Sequence, residues 1–234
     1  MSERRRSGFE AVLLAAGASA RMGEPKALVA WCGRPLIAFL VEEWLATRVD
    51  RVVVVLGARA GEVGEGLFRA LSGHAGRDGP GLDERLDVVV NAEWERGKCG
   101  SIRAGVERLS AGVQDIALHS VDQPVTAEVL EALLGFHRAD GGDATLPVLN
   151  GRRGHPVCLK STLREALLVL REEDRGLRGL IRSLDEVGRV REAQIAAPCI
   201  HWNINRPEDL AAVAAGRGGR PPGLIGGTAR HKVR

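Results

Sequence analysis

The sequence predicts an α/β fold of three layers, with a mostly parallel, doubly wound sheet between two layers of helices. Three observations predict it. Short runs of Val, Leu, Ile and Ala recur through the first half of the 234-residue chain. Each run is closed by Gly or by a polar turn. Amphipathic stretches long enough for helices lie between the runs. Strands that are apolar throughout are buried on both faces of a parallel sheet, and strand–helix alternation at this spacing builds such a sheet.

The elements follow in order. Residues 11–15 read as a buried strand closed by Gly17. Pro35 opens a helix to about Thr47, since a first helical position needs no N–H. The β-branched run Arg51-Val52-Val53-Val54-Val55-Leu56 is a second strand, punctuated by Gly57. A third strand covers residues 86–90 and a fourth 116–121. Helices are expected over about 61–71, 101–109 and 126–137. Residues 144–149 then read as a strand, 151–154 as a turn and 156–159 as a strand partner. Helices over about 162–172 and 177–184, a short strand near Val190 and a helix over 206–215, reached through Asn205 and Pro207, complete the pattern. Residues 9–215 form a single domain in this reading. Residues 1–8 are a flexible N-terminus, 72–81 a Gly-rich mobile linker and 216–234 a disordered tail.

Composition narrows the class. Hydrophobic residues make up 44% and charged residues 27%, which suits a globular domain with a sizeable core. Aromatics are 3% with no Tyr, so the core rests on Val, Leu, Ile and Ala. The 33 basic and 30 acidic residues leave a net charge of +3, too small an excess to imply nucleic acid. No apolar run approaches the roughly 20 residues of a membrane span, and the basic start Met1 to Arg6 precedes only a short strand, unlike a signal peptide. Cys32, Cys99, Cys158 and Cys199 are scattered without a CxxC pair. They read as reduced thiols of a cytoplasmic protein, and no zinc site is expected.

The segment Leu14-Ala15-Ala16-Gly17-Ala18-Ser19-Ala20-Arg21-Met22-Gly23-Glu24-Pro25-Lys26 carries the strongest chemistry. A Gly-rich turn between strand and helix offers backbone N–H groups to an anion. Arg21 forks phosphate oxygens and Lys26 adds a compact charge, while the small Ala15, Ala16, Ala18 and Ser19 leave room for a nucleotide. The spacing is not that of a P-loop, because Gly17 and Gly23 are six apart and Ala27 follows Lys26. Nor is it a dinucleotide fingerprint, whose later glycines and acid after the second strand are missing. A plain βα connection remains the bland alternative.

Five segments, in order, resemble the nucleotidyltransferase superfamily. The loop is similar to its L-A-A-G-x-S-x-R-M-G-x-P-K signature. Asn91-Ala92-Glu93-Trp94-Glu95-Arg96-Gly97 with Gly100-Ser101 resembles the base-recognition stretch. Val121-Asp122-Gln123-Pro124 resembles the metal-binding motif, Arg153-Gly154-His155-Pro156-Val157 the acceptor motif, and Asn203-Ile204-Asn205-Arg206-Pro207 the C-terminal metal-side motif. The molybdenum cofactor cytidylyltransferase group is the nearest likeness, over about residues 9–215. It implies a Rossmann-like nucleotidyltransferase fold, Mg²⁺ as cofactor, and transfer of CMP from CTP to a phosphate-bearing acceptor such as molybdopterin. It also admits a molybdoenzyme partner.

The resemblance implies nucleotide binding by Ala15, Ala16, Gly17, Ser19, Arg21, Lys26, Asn91, Gly100 and Ser101. Arg21, Lys26 and Asp122 would be catalytic, Asp122 and Asn205 would hold the metal, and Arg153 and His155 would hold the acceptor. Asp122 falls after an apolar strand, at the edge where open α/β sheets bind ligands, and Mg²⁺ takes one or two protein oxygens. Thr126, rather than Asp122, reads as the cap of the next helix. Asn203 and Asn205 are two apart in an extended segment and share a face, with Asn205 preferred as ligand. Ser101 reads equally as an N-cap, and His155 equally as structural.

The chain departs from the family pattern at two places. Val121, preceded by His119-Ser120, stands where the family usually has Gly just before the metal Asp, and Lys98-Cys99 stands where small residues or Met are usual before Gly100. These departures bear on the acceptor. Two other readings stay open: an NAD(P)H-dependent oxidoreductase on the same scaffold, of the nicotine blue oxidoreductase type, and a non-catalytic molybdenum cofactor-binding or chaperone protein.

Overall fold

A computed structural model describes residues 6–72, 82–140 and 142–215. The tail expectation for 216–234, and nearly all of the linker expectation for 72–81, fall outside the described residues. No described helix is long and apolar enough to cross a membrane.

The first strand, β1 (Phe9–Ala15), is buried along its whole length. A two-residue hairpin follows, β2 (Ala30–Trp31) with β3 (Arg34–Pro35). Next come α1 (Leu36–Leu45), β4 (Arg51–Leu56), α2 (Ala60–Ser72), α3 (Leu82–Arg85) and β5 (Leu86–Val90). The chain continues through α4 (Lys98–Glu107), β6 (Asp115–Ser120), α5 (Ala127–Asp140), β7 (Ala144–Leu149), β8 (Arg152–Arg153) and β9 (Val157–Lys160). It ends in α6 (Arg164–Leu168), α7 (Gly176–Glu186), β10 (Val190–Gln194) and α8 (Pro207–Ala215).

The main sheet runs β10-β7-β9-β6-β1-β4-β5, with β8 on β7. β1 pairs in parallel with both β4 and β6, β4 with β5, and β10 with β7. Only β9 and β8 run against their neighbours. Alternation along the strands splits the core into two layers. Leu13 and Val54 face α1, α2 and α5, whereas Val12, Val53 and Val55 face α4, α6 and α7. Gly105 lets α4 lie this close to the sheet, since a Cβ there would sit 2.3 Å from Val12 Cγ1. The predicted three-layer, mostly parallel, doubly wound fold is the one observed.

Winding determines where a ligand can enter. From β1 the chain builds outward through β4 and β5, then crosses back to place β6 on the other side of β1. The carboxyl ends of β1 and β6 therefore flank the switch point, where connections leave in opposite directions and open a crevice.

Several boundaries differ from expectation. Pro35 closes β3 and precedes the helix rather than starting it, and α1 ends at Leu45. Helix α4 begins at Lys98 after Gly97, so Ser101 lies inside its first turns and is not the N-cap. Thr126 does not cap α5 with its hydroxyl, which has no hydrogen-bond partner among the described residues. Glu43 Oε2 accepts the Ala127 N–H at 2.5 Å instead, a tertiary cap no local pattern announces. The expected helix over 162–172 stops at Leu168, because the chain turns to bring Glu172 Oε1 within 2.6 Å of the Cys99 N–H. The turn expected at 151–154 is tighter. Asn150 and Gly151 both have positive φ, the pair a two-residue hairpin favours, and Arg152 and Arg153 pair back onto β7.

Candidate active site

The loop after β1 turns back on itself before it reaches the crevice. The Met22 N–H donates to Ser19 O at 2.8 Å and the Lys26 N–H to Ser19 Oγ at 2.9 Å. Ser19 has φ 56°. These bonds place Lys26 at the head of a short 3-10 turn, Lys26–Leu28, with its ammonium directed inward. Leu14, Ala15, Ala16, Gly17, Ser19 and Lys26 line a cavity of about 390 Å³. Arg21 is exposed and lies outside that lining.

From the other side of the switch point, Asp122 follows β6, whose geometry is still enforced by a Val121 N–H bond to Leu14 O at 3.0 Å. The segment before α8 is tied to it by the Ile204 N–H, which donates to Asp122 O at 2.8 Å. Ile204 is fully buried, so Asn203 and Asn205 share the opposite face, as their spacing predicts. Their partners separate them. Asn205 Oδ1 accepts from Lys26 Nζ at 2.8 Å, whereas Asn203 Oδ1 accepts from Gln123 Nε2 at 3.1 Å. Lys26 Nζ also lies 3.3 Å from Asp122 Oδ2. The structure thus brings Lys26, Asp122 and Asn205 into one cluster.

The donor set suits a hard cation. Asp122 Oδ1 is buried and has no hydrogen-bond partner among the described residues, and Asn205 supplies a second oxygen beside the same ammonium. One carboxylate and one amide oxygen leave the remaining positions to phosphate and water, the usual arrangement for Mg²⁺. No group of three or more His, Cys, Asp or Glu placed to hold a metal ion occurs among the described residues.

Asn91 and Ser101 meet, in an arrangement local reading did not foresee. Asn91 Nδ2 donates to Ser101 Oγ at 3.0 Å, and Asn91 Oδ1 accepts the Glu93 N–H at 3.0 Å. Ser101 lines the cavity beside the Gly17 loop and Asn91 does not. Asn91 thus orients Ser101 from behind. Gly100 lies beside this pair, where a Cβ would stand in ordinary contact, 3.4 Å from Asn91 Nδ2. Trp94 also lines this cavity.

A second cavity, of about 630 Å³, opens on the far side of Asp122 and is lined by Arg153, Gly154, His155, Asn203 and residues of α7. The segment is pinned through its backbone: Gly154 N–H to Pro147 O at 2.7 Å and His155 N–H to Ile200 O at 2.9 Å. No side chain fits at Gly154, where a Cβ would stand 2.4 Å from Ile200 O. Arg153 forks Asp185 at 2.7 and 3.0 Å and bonds Glu192 at 2.7 Å. The Asp185 hydrogen bonds, with those to Glu192, raise its pKa. Burial pushes His155 down to about 4, with Lys98 close by adding to the shift, so it is a neutral ring at pH 7.

Behind the crevice, His119 is buried and lowered to about 3, chiefly by desolvation. Its Nδ1 accepts from Trp44 Nε1 at 2.9 Å, which leaves Nε2–H to donate to Gln123 O at 2.8 Å. That bond fixes the backbone next to Asp122. Its role was invisible in sequence, because Trp44 is 75 residues away.

A glycine turn, a lysine and an aspartate facing each other across a switch point define a nucleotide-handling α/β enzyme. The particular family follows from comparison: residues 11–187 match the MobA-like NTP transferase domain, and the chain belongs to that family of nucleotidyltransferases. It is 33% identical over 178 residues to nicotine blue oxidoreductase of Paenarthrobacter nicotinovorans, covering 73% of this chain and 80% of that one. It is 25% identical to a probable molybdenum cofactor guanylyltransferase of Bacillus cereus (strain AH187), covering 85% and 91%. A solved nucleotidyl transferase from Methanothermobacter thermautotroptrophicus superposes with a TM-score of 0.70 at 28% identity, covering 89% and 96%. Two bifunctional relatives are longer, and the chain spans 32% and 34% of their lengths.

Proposed function

We propose that the chain transfers CMP from CTP to a phosphate-bearing small molecule of the molybdopterin type and releases pyrophosphate. The observation that carries this reading is the meeting of Lys26, Asp122 and Asn205 at the mouth of a cavity lined by the Gly17 loop. The Ala15-Ala16-Gly17 start of that loop favours a pyrimidine base over a guanine, and Ser101, oriented by Asn91, offers a hydroxyl to it.

Asp122 and Asn205 would hold Mg²⁺. When bound, the ion supplies neutralisation of phosphate charge and orientation of the oxygens around it. Lys26 stabilises the pyrophosphate that leaves, and Arg21 of the same loop, exposed in this structure, is the second cation for it. An acceptor phosphate is already anionic and needs no general base, so positioning and charge account for catalysis. Arg153 and His155 border the cavity on the acceptor side.

The testing experiment is Mg²⁺-dependent pyrophosphate release, with CTP, GTP, ATP and UTP set against molybdopterin-type and sugar-phosphate acceptors. Release with CTP and a phosphate acceptor supports the reading; no release with any pair refutes it. The 33% identity to nicotine blue oxidoreductase favours one second reading, hydride transfer from NAD(P)H. Tight NAD(P)H binding without pyrophosphate release would put that reading first.

A further inference from the structure

The two cavities meet along one wall, and among the described residues only Lys98, Ser120 and Asp122 line both. Asp122 is already accounted for. Lys98 and Ser120 touch. Lys98 Nζ donates to Ser120 Oγ at 2.6 Å. One residue opens α4 and the other ends β6, 22 positions apart. An ammonium bonded to a hydroxyl thus stands on the wall that the two cavities share.

Lys98 is in no ion pair among the described residues, and its one hydrogen bond is to a neutral hydroxyl. The nearby Glu172 is committed to the Cys99 N–H. Beyond Lys98 the acceptor cavity carries further cations, Arg175 just before α7 and Arg178 and Arg182 on it, Arg182 being paired with Glu186. An ammonium on the shared wall, near the acids Asp122 and Glu172 but in no ion pair with either among the described residues, can take an anion between the cavities.

We infer that Lys98, held by Ser120, binds the attacking phosphate oxygen of the acceptor and sets its line to the α-phosphorus. The inference rests on the nucleotidyltransferase reading and names a catalytic residue within it. In the step, the acceptor oxygen forms a bond to the α-phosphorus while the bond from that phosphorus to the α–β bridging oxygen breaks. Pyrophosphate leaves with the electron pair, and no proton moves. Ser120 is a positioning residue that fixes the lysine rotamer.

Inorganic phosphate serves as the probe, titrated calorimetrically into the full chain alone and into the chain loaded with Mg²⁺ and α,β-methylene-CTP. Lys98→Met should weaken phosphate binding about tenfold, equivalent to about 1.4 kcal/mol, and Lys98→Arg should restore most of it. The affinity for the nucleotide analogue should change less than that for phosphate, because the nucleotide keeps its contacts with the Gly17 loop and Lys26. Ser120→Ala should weaken phosphate severalfold, while Ser120→Thr should preserve it. Wild-type phosphate affinity in Lys98→Met overturns the assignment, as does a wild-type chain that binds no phosphate. Failure of the analogue to bind the wild-type chain strikes the nucleotidyltransferase reading instead, and the titration without nucleotide then still decides the role of Lys98.

Discussion

Lys26 and Asn205 are 179 positions apart in sequence and joined by a 2.8 Å hydrogen bond from Nζ to Oδ1. The bond closes the loop after β1 against the segment that leads into α8, with Asp122 3.3 Å from the same ammonium. A lysine held this way is ordered before any nucleotide arrives, so its charge is preorganised.

Lys26→Ala should reduce turnover by about 10²–10³-fold, the scale of losing one preorganised charge donor. Pyrophosphate release under saturating nucleotide measures it. Turnover near that of the wild type would remove Lys26 from the reaction.

Asn205→Ala should weaken Mg²⁺ activation, because it removes one of two oxygens in the cluster, whereas Asn203→Ala should leave the Mg²⁺ dependence nearly unchanged. Asn203 bonds Gln123 and His201 instead. Mg²⁺ titrations of pyrophosphate release distinguish the two; a larger shift from Asn203→Ala would reverse the assignment.

Asn91→Ala should raise the nucleotide KM and relax base choice although Asn91 does not line the cavity. The mechanism is loss of the 3.0 Å bond that aims Ser101 Oγ. Comparing CTP with GTP in Asn91→Ala and Ser101→Ala tests this, and the two variants should resemble each other. If only Ser101→Ala changes base choice, Asn91 is structural.

Acid should destabilise the fold through His119 and His155. Their folded pKa values, about 3 and about 4, lie below the ordinary 6.5, so the unfolded chain takes up these protons first. Their contribution is fully present above pH 6.5 and is lost as pH falls toward 4 and then 3. Each adds up to about 1.4 kcal/mol per pH unit within that window. Thermal melts from pH 7 to 4.5 should show a shallower fall for His155→Gln than for the wild type; identical slopes would contradict the shift.

Gly154→Ala should destabilise the protein by a few kcal/mol, since the new methyl would meet Ile200 O at 2.4 Å and that backbone is pinned by His155 N–H. Chemical denaturation checks it. A wild-type midpoint would mean that the 153–156 segment moves freely.

The sequence by itself determined the sheet and the loop. Valine runs such as Arg51–Leu56 admit one burial state, apolar on both faces, and so read as parallel strands. The Asp122 position was legible because it follows such a strand. Tertiary structure alone decided the rest. Which of Asn203 and Asn205 bonds Lys26 across the switch point is a tertiary matter, and it is Asn205, the one the resemblance preferred. Ser101 became a partner of Asn91 because α4 starts at Lys98. Glu43, not Thr126, satisfies the first N–H of α5 because α1 packs beside it. The bond between Lys98 and Ser120 was likewise out of reach. Local pattern fixes which way a chain is buried over a few residues, but side chains from distant strands meet only where the winding order of the sheet brings their ends together.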